Sequence, residues 1–318
     1  MKRFAGDWIQ IRTEYLELCG LPLYLNAIVG DDGIALLDSG VSATPETSVA
    51  PELSAAGLRI EDISLVVNSH AHPDHMGGNG RLRALADPRF AAPAAEAGWL
   101  EDNDLVLRQL WEPNPDAYRL TDAERSDLRG LLGERVRIDH LLRDGDLLDV
   151  GGTSLRIVTT SGHSPGHIAV HDAERGVLFT FDDVQGAGVP IAHTSDWLAP
   201  LYHDVDAYVG GLRRLEALTF DTLVPAHGDH LDRWAGLARI AESIAFVERA
   251  EEFVASFVTA RPEVRLGELA HAMGTQLGRF GGVNLQTMSI AKAHLDHLVR
   301  SGSVTPFWRT AGDQERNA

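Results

Sequence analysis

The sequence predicts an α/β fold with its chemistry gathered at one edge of a sheet. Three observations carry that expectation. Short apolar, β-branched runs recur between Ile63 and Val224, each run is followed at once by a loop bearing histidine or aspartate, and beyond His227 the apolar spacing turns helical. The first run, Ile63-Ser-Leu-Val-Val67, reads as a buried strand. It leads into Asn68-Ser-His-Ala-His-Pro-Asp-His-Met-Gly-Gly78, which sets His70, His72, Asp74 and His75 in one loop. Pro73 interrupts the backbone there, and Gly77-Gly78 allows a helix to begin close by. A loop at the end of a buried strand is where an open α/β sheet places its ligands. Single histidines arise easily in a chain holding 14 of them, but His-x-His-x-Asp-His after a strand is hard to reach by accident.

An insertion over about 98–144 follows. It carries Trp99, Trp111, Pro113, Pro115 and Tyr118, then an acidic stretch in which Thr121 and Glu124 have capping-box spacing. Its aromatics either line an apolar pocket or pack beneath a helix. Further strands are Leu155-Arg-Ile-Val158, Val177-Leu-Phe-Thr-Phe181 and the start of Leu223-Val-Pro-Ala-His-Gly228. The first leads to His163 and His167 in Thr160-Ser-Gly-His-Ser-Pro-Gly-His167, the second to Asp182 and Asp183, the third to His227. Ligands on loops with strands behind them keep a rigid geometry. After Asp183 comes a flexible loop, Gly186-Ala-Gly-Val-Pro190, with His193, Trp197, Tyr202 and His203 close behind. His193, Trp197 and Tyr202 are the expected substrate contacts.

Residues 237–260 read as a helix through Ile240, Ile244, Val247, Val254, Phe257 and Val258. Residues 266–273 and 285–300 give two more, and 302–308 a short strand. His294 and His297 lie three apart on one helix face, which either approaches the mouth of the site or, as favoured here, is an ordinary polar face.

The histidine and aspartate loops together resemble the metallo-β-lactamase-fold hydrolases. The resemblance runs from Asn26-Ala-Ile-Val and Leu36-Leu-Asp-Ser-Gly40 through the His70 loop, His163, Asp182 and His227, roughly residues 8–235. It implies a four-layer αββα sandwich over 1–235 with a small helical domain over 236–318. In that smaller domain, Ala293-His-Leu-Asp-His-Leu-Val-Arg-Ser-Gly302 is similar to the last helix and turn of a winged helix. The resemblance further implies that His70, His72 and His163 hold one metal, that Asp74, His75 and His227 hold a second, and that Asp182 bridges them. Asp38 would stand behind the ligands, and Asp74 would also orient the nucleophile or pass a proton. Phe181 occupies the place before the bridging aspartate where the family usually has a small residue, which leaves Asp183 as the alternative bridge. His167 either orients a ligand or caps its loop. The nitrogen-rich, thiolate-free donor set suits two zinc ions, with iron, manganese or cobalt as alternatives. Two such cations acidify a water and polarise a carbonyl or phosphoryl oxygen, so a metal hydroxide would be the nucleophile and no serine or cysteine is required.

Composition bounds the rest. With 318 residues, 44% of them hydrophobic, the chain buries a large core. Its one cysteine, Cys19, fits a reducing compartment, and no leader or membrane-length apolar run is evident, so the expected location is cytoplasmic. A net charge of −18, from 46 acidic and 28 basic residues with no Lys/Arg run, disfavours nucleic acid as a partner. Two function classes follow. The favoured one is hydrolysis of a thioester, ester or lactone in a small or carrier-bound acyl substrate. The alternative is a dinuclear-metal phosphodiesterase or endoribonuclease. A metal-dependent DNA-binding regulator ranks last, because the third C-terminal helix sets only Lys292 and Arg300 against Asp296. A homodimer contact through the C-terminal module is a further expectation.

Overall fold

Two mixed β-sheets stack face to face with helices on their outer sides. The computed structural model describes residues 8–13, 21–113, 115, 119–261 and 263–303, with the backbone of 2–3. The first sheet holds β1 (Lys2–Arg3), β2 (Trp8–Thr13), β3 (Leu23–Gly30), β4 (Gly33–Leu37), β5 (Ile63–Val67), β6 (Arg89–Pro93) and β7 (His140–Leu142), in chain order across the sheet. Pairing is antiparallel from β1 to β4 and parallel from β4 to β7. Parallel neighbours need crossovers. These are α1 (Ala50–Ala55), then α2 (Pro73–Met76) with α3 (Asn79–Leu85), then α4 (Ala97–Glu101), α5 (Asn103–Val106) and α6 (Asp122–Leu132).

In the second half come β8 (Leu147–Val150), β9 (Thr153–Thr159), β10 (Ile168–Asp172), β11 (Val177–Phe181), a small ribbon of β12 (Val189–Pro190) and β13 (Trp197–Leu198), α7 (Val205–Glu216), β14 (Thr222–Pro225) and β15 (Leu231–Asp232). The second sheet runs β15-β14-β11-β10-β9-β8, with only β11 and β14 parallel. Side chains alternate between faces along a strand. Leu155, Ile157, Ile168, Val170, Val177 and Phe179 therefore enter the core shared with the first sheet. Val158, Ala169, Leu178 and Leu223 enter a second core under the helices. The apolar strand runs are thus buried on both faces, at about 1.5–3 kcal/mol for each large side chain.

Three helices follow: α8 (Arg233–Ala260), α9 (Leu266–Gln276) and α10 (Leu285–Arg300), close to the expected spans. Asp232 caps α8 by accepting from Ala235 N, and Asn284 caps α10 by accepting from Thr287 N. Thr121 and Glu124 form the expected capping box on α6. Of the expected strand at 302–308, Gly302 and Ser303 form a turn, and the rest lies outside the described residues, as do Cys19 and Tyr118. The polar-face expectation for His294 is corrected: it is fully buried, with Nε2 2.8 Å from the Tyr202 hydroxyl. His297 does face outward, 3.2 Å from Asp206 on α7. Among the described residues, no helix is long and apolar enough to cross a membrane.

Candidate metal centre

Five strands end at one edge, and each delivers part of the centre. Asp38 follows β4, the His70–His75 loop follows β5, His163 follows β9, Asp182 follows β11 and His227 follows β14. The His70 loop is held from both sides. Asp38 N donates to Val67 O, while Ser39 N and Asn68 Nδ2 both donate to His75 O at 2.9 Å. Gly77 and Gly78 have ordinary helical φ values of −62° and −75°, so their role is close approach rather than an unusual conformation. A Cβ at Gly77 would strike Leu131 O, and one at Gly78 would strike Ser39 O.

The donor atoms converge in two groups, His70, His72, His163 and Asp182 in one, Asp74, His75 and His227 in the other, each within 4.8 Å. His72 Nδ1 lies 2.9 Å from His70 Nε2 and 3.0 Å from His163 Nε2. Asp182 stands between the groups. Its Oδ2 is 3.5 Å from His163 Nε2, 3.4 Å from His75 Nε2 and 4.0 Å from His70 Nε2, and its Oδ1 is 3.5 Å from His227 Nε2. Asp74 Oδ2 is 3.3 Å from His227 Nε2 and 3.6 Å from His75 Nε2.

The outer nitrogens fix which lone pairs face inward. His163 Nδ1 meets Leu201 O and His227 Nδ1 meets Pro22 O, both at 3.0 Å. A carbonyl only accepts, so each Nδ1 donates, and in the neutral ring Nε2 is left as a bare acceptor. His75 Nδ1 sits 2.7 Å from Asp38 Oδ2, with the same consequence. Asp38 is itself held by Ser69 N at 2.7 Å and Ser69 Oγ at 2.8 Å. Its φ of +61° is a strained conformation for a residue with a side chain. The inner atoms His75 Nε2 and Asp182 Oδ1 are buried without a hydrogen-bond partner. Buried polar atoms are nearly always paired. Orphaned nitrogen and oxygen donors that converge on common points fit metal cations, and the residues present are of the types that zinc accepts.

The two groups differ in charge. Burial first, then the neighbouring imidazoles, hold His70 well below the usual histidine range. Burial likewise lowers His163, against the opposing pull of Asp182, and takes His72 down to about 3. Burial would also lower His75 and His227, but carboxylates overcome it. Asp182, Asp74 and Asp38 carry His75 well above its ordinary value, and Asp182 with Asp74 takes His227 to about 10. Burial opposes ionisation of Asp74 and Asp182, yet His75 and His227 hold both below the usual carboxylate range.

Asp183, the alternative bridge, is not among the converging donors; its Oδ2 lies 2.8 Å from His167 Nδ1. His167 closes its loop, accepting at its carbonyl from Thr160 N, and also sets its ring 4.8 Å from His70. Phe181 adopts φ +46°, in the region that glycine enters without strain. One contributor escaped the sequence reading. Glu96 is fully buried and accepts from Ala71 N at 2.7 Å, Gly166 N at 2.6 Å and Ser164 Oγ, tying the His70 loop to the His163 loop. The only signal was a single charge in the small apolar run Phe90-Ala-Ala-Pro-Ala-Ala-Glu96-Ala.

The ligand groups open into a cavity of about 760 Å³. Its walls come from Trp111, Leu120 and α6 on one side, Val189, Leu198 and Leu201 on another, and Asn284-Leu285-Gln286 at the start of α10. The structure places the expected substrate contacts His193, Trp197 and Tyr202 outside the cavity lining. Tyr202 is wholly buried, stacked on Tyr208 with centroids 4.7 Å apart. Trp197 is 41% exposed, and neither it nor the exposed His193 lines the cavity. Trp111 does line it, with its ring 5.5 Å from His72.

Comparison with known proteins agrees with this architecture. The chain is 30% identical over 167 residues to the acyl-coenzyme A thioesterase MBLAC2 of Homo sapiens, covering 51% of this chain and 55% of that protein. It is 27% identical over 232 residues to a hydroxyacylglutathione hydrolase of Cereibacter sphaeroides, covering 70% of this chain and 74% of the relative. The chain spans little more than half the length of several curated relatives it matches, 55% for the human thioesterase and 56% for the lactamase-like protein nscB of Arthroderma gypseum. A crystal structure of a metallo-beta-lactamase family protein from Thermus thermophilus superposes with a TM-score of 0.72 at 21% identity, over 94% of this chain and 95% of that one, which speaks for the fold alone. The sequence profile of the Metallo-beta-lactamase superfamily matches residues 25–227, the span that carries every converging histidine and aspartate, and the chain belongs to that superfamily.

Proposed function

We propose that this chain is a dinuclear zinc hydrolase acting on an ester-type bond, a thioester, ester or lactone, in a small or carrier-bound acyl substrate. The observation that carries the reading is a cavity whose floor is a converging His/Asp set and whose walls are largely apolar. His70, His72 and His163 would hold one cation, Asp74, His75 and His227 the other, and Asp182 would be shared. Iron, manganese or cobalt would also suit these donors. Bound cations would acidify water and polarise the acyl carbonyl.

The chain's own residues do the remainder. Asp38, Leu201 O and Pro22 O orient His75, His163 and His227. Asp74, 15% exposed at its side chain, is the ionisable group placed to receive a proton and return it to the leaving atom. Water is added across the acyl C–S or C–O bond: OH goes to the acyl carbon and H to the departing sulfur or oxygen. Trp111 and the leucines of α6 and α10 exclude bulk water and seat the acyl group. We assign catalysis to 1–235, and to 236–318 a winged-helix-like module that shapes the cavity rather than gripping DNA. Its basic side chains on α10 are already paired, Lys292 with Asp296 and Arg300 with Asp204 and Asp206.

The test is a substrate panel on metal-loaded protein, with His70→Ala as control. Thioesters, aryl esters or lactones should be hydrolysed by the wild type and not by the variant. Single-stranded RNA and bis-aryl phosphodiesters should be cleaved weakly or not at all. RNA cleavage outpacing every acyl substrate would reverse the assignment.

A further inference from the structure

Resting on that hydrolase reading, we infer that the cavity selects acyl substrates with an uncharged leaving group and discriminates against anionic carriers such as coenzyme A and glutathione. Apart from the converging ligands, the charged residues among those lining the cavity are Glu124 and Asp127, both acidic and both on α6. The cations nearest them in sequence are engaged elsewhere. Arg125 holds Glu112 through two contacts of 2.8 Å, and Arg129 holds Asp104 at 2.6 Å. On the opposite wall α10 presents Asn284, Leu285 and Gln286, which are uncharged. The Lys292 amine on that helix pairs with Asp296 at 2.5 Å.

A phosphate or carboxylate group entering this cavity meets carboxylates and leucines, with no free guanidinium or amine on the described walls to receive it. Recognition of a phosphate or carboxylate normally uses arginine or lysine. Like charge across a binding surface also rejects a partner actively, beyond the missing attraction. The chain's net charge of −18 adds a repulsive field in the same sense. An apolar acyl chain with a neutral alcohol, lactone oxygen or small thiol avoids all of these penalties. In this preference the chain departs from what the names of its thioesterase and glutathione-thioester relatives would suggest.

The experiment compares one acyl group on two thiols, decanoyl-N-acetylcysteamine and decanoyl-coenzyme A, with metal-loaded enzyme. The scissile bond is the same, so the metal chemistry is matched and the leaving group alone differs. The neutral ester should have a kcat/KM at least about tenfold higher at low ionic strength, and added salt should narrow the gap. Asp127→Asn and Glu124→Gln should each reduce that ratio. Equal or better turnover of the coenzyme A ester at low salt, or a ratio indifferent to salt and to both substitutions, would overturn the inference. If neither thioester nor any other ester is hydrolysed, the hydrolase reading fails instead. Calorimetry with the uncleavable thioether analogues of the two carriers then still decides the charge preference, and tighter binding of the coenzyme A analogue refutes it.

Discussion

His163, His227 and His75 each give one nitrogen to an outer acceptor, and that bond decides what the other nitrogen can do. A carbonyl or carboxylate behind Nδ1 leaves Nε2 to face inward as a donor to a metal. His72 differs, presenting Nδ1 inward while its buried Nε2 finds no hydrogen-bond partner beside Trp111. Asp74 is the least buried of the converging ligands, and its two roles can be separated. Asp74→Asn keeps an oxygen donor but loses the charge and the proton site, so kcat should fall by about 10²-fold while circular dichroism shows the fold intact. Near-wild-type turnover would remove Asp74 from the mechanism. Glu96 makes a different prediction, because it touches no converging ligand atom. Glu96→Ala strands two backbone N–H groups and the Ser164 hydroxyl inside the protein. Each orphaned group costs about 1–3 kcal/mol, so urea unfolding should show a loss of several kcal/mol together with weaker metal retention.

The strands that end at the centre were legible because each is a short apolar run followed at once by a ligand. What the sequence could not show is how distant elements complete the cavity. Its walls pair α6 with the start of α10, and no local spacing connects the two. Tyr202 looked like a substrate contact because it follows a glycine loop, but α10 covers it with His294 and turns it into core. That contact has a pH signature. Burial lowers His294 to about 3 from an ordinary value of 6.5, so below pH 6.5 the unfolded chain takes a proton that the folded state refuses. Stability is therefore lost as the pH falls from 6.5 towards 3. Relative to His294→Gln, the wild type should lose about 1.4 kcal/mol more between pH 7.5 and 5.5, measured by urea unfolding of both proteins. The end of β11 gives a second test. Replacing Phe181 by glycine relieves left-handed strain of about 1–2 kcal/mol but deletes a buried ring worth about 3–5 kcal/mol. Phe181→Gly should thus be destabilised by roughly 2 kcal/mol despite the better backbone fit. Burial of Phe181 explains why this chain tolerates a residue that the backbone alone would disfavour.

At the scale of the whole molecule, the centre sits where two sheets and their covering helices meet, so metal binding and global stability are linked. Removal of bound metal should not unfold the protein. Without a cation, His75 and His227 keep their protons, and Asp74 and Asp182 at 3.3–3.6 Å balance their charge although His75 Nε2 and Asp182 Oδ1 lack a hydrogen bond. The three imidazoles His70, His72 and His163 stay neutral, because burial holds them below the usual histidine range. Chelation should therefore abolish activity and lower the melting temperature while leaving a cooperative transition, since a ligand bound only by the folded state stabilises it by mass action. The two groups should also respond differently to pH. A cation entering at His75 and His227 must expel the protons that their raised pKa values retain, whereas one entering at His70, His72 and His163 meets imidazoles that are already unprotonated. Affinity at the former should weaken as the pH falls from about 8 to about 6, and affinity at the latter should change little. Zinc calorimetry in buffers of different ionisation enthalpy reads this directly: one binding step releases protons to the buffer and the other releases almost none. Two steps with equal proton release, or a single step saturating at one zinc per chain, would contradict the division of the centre into a neutral and a charged half.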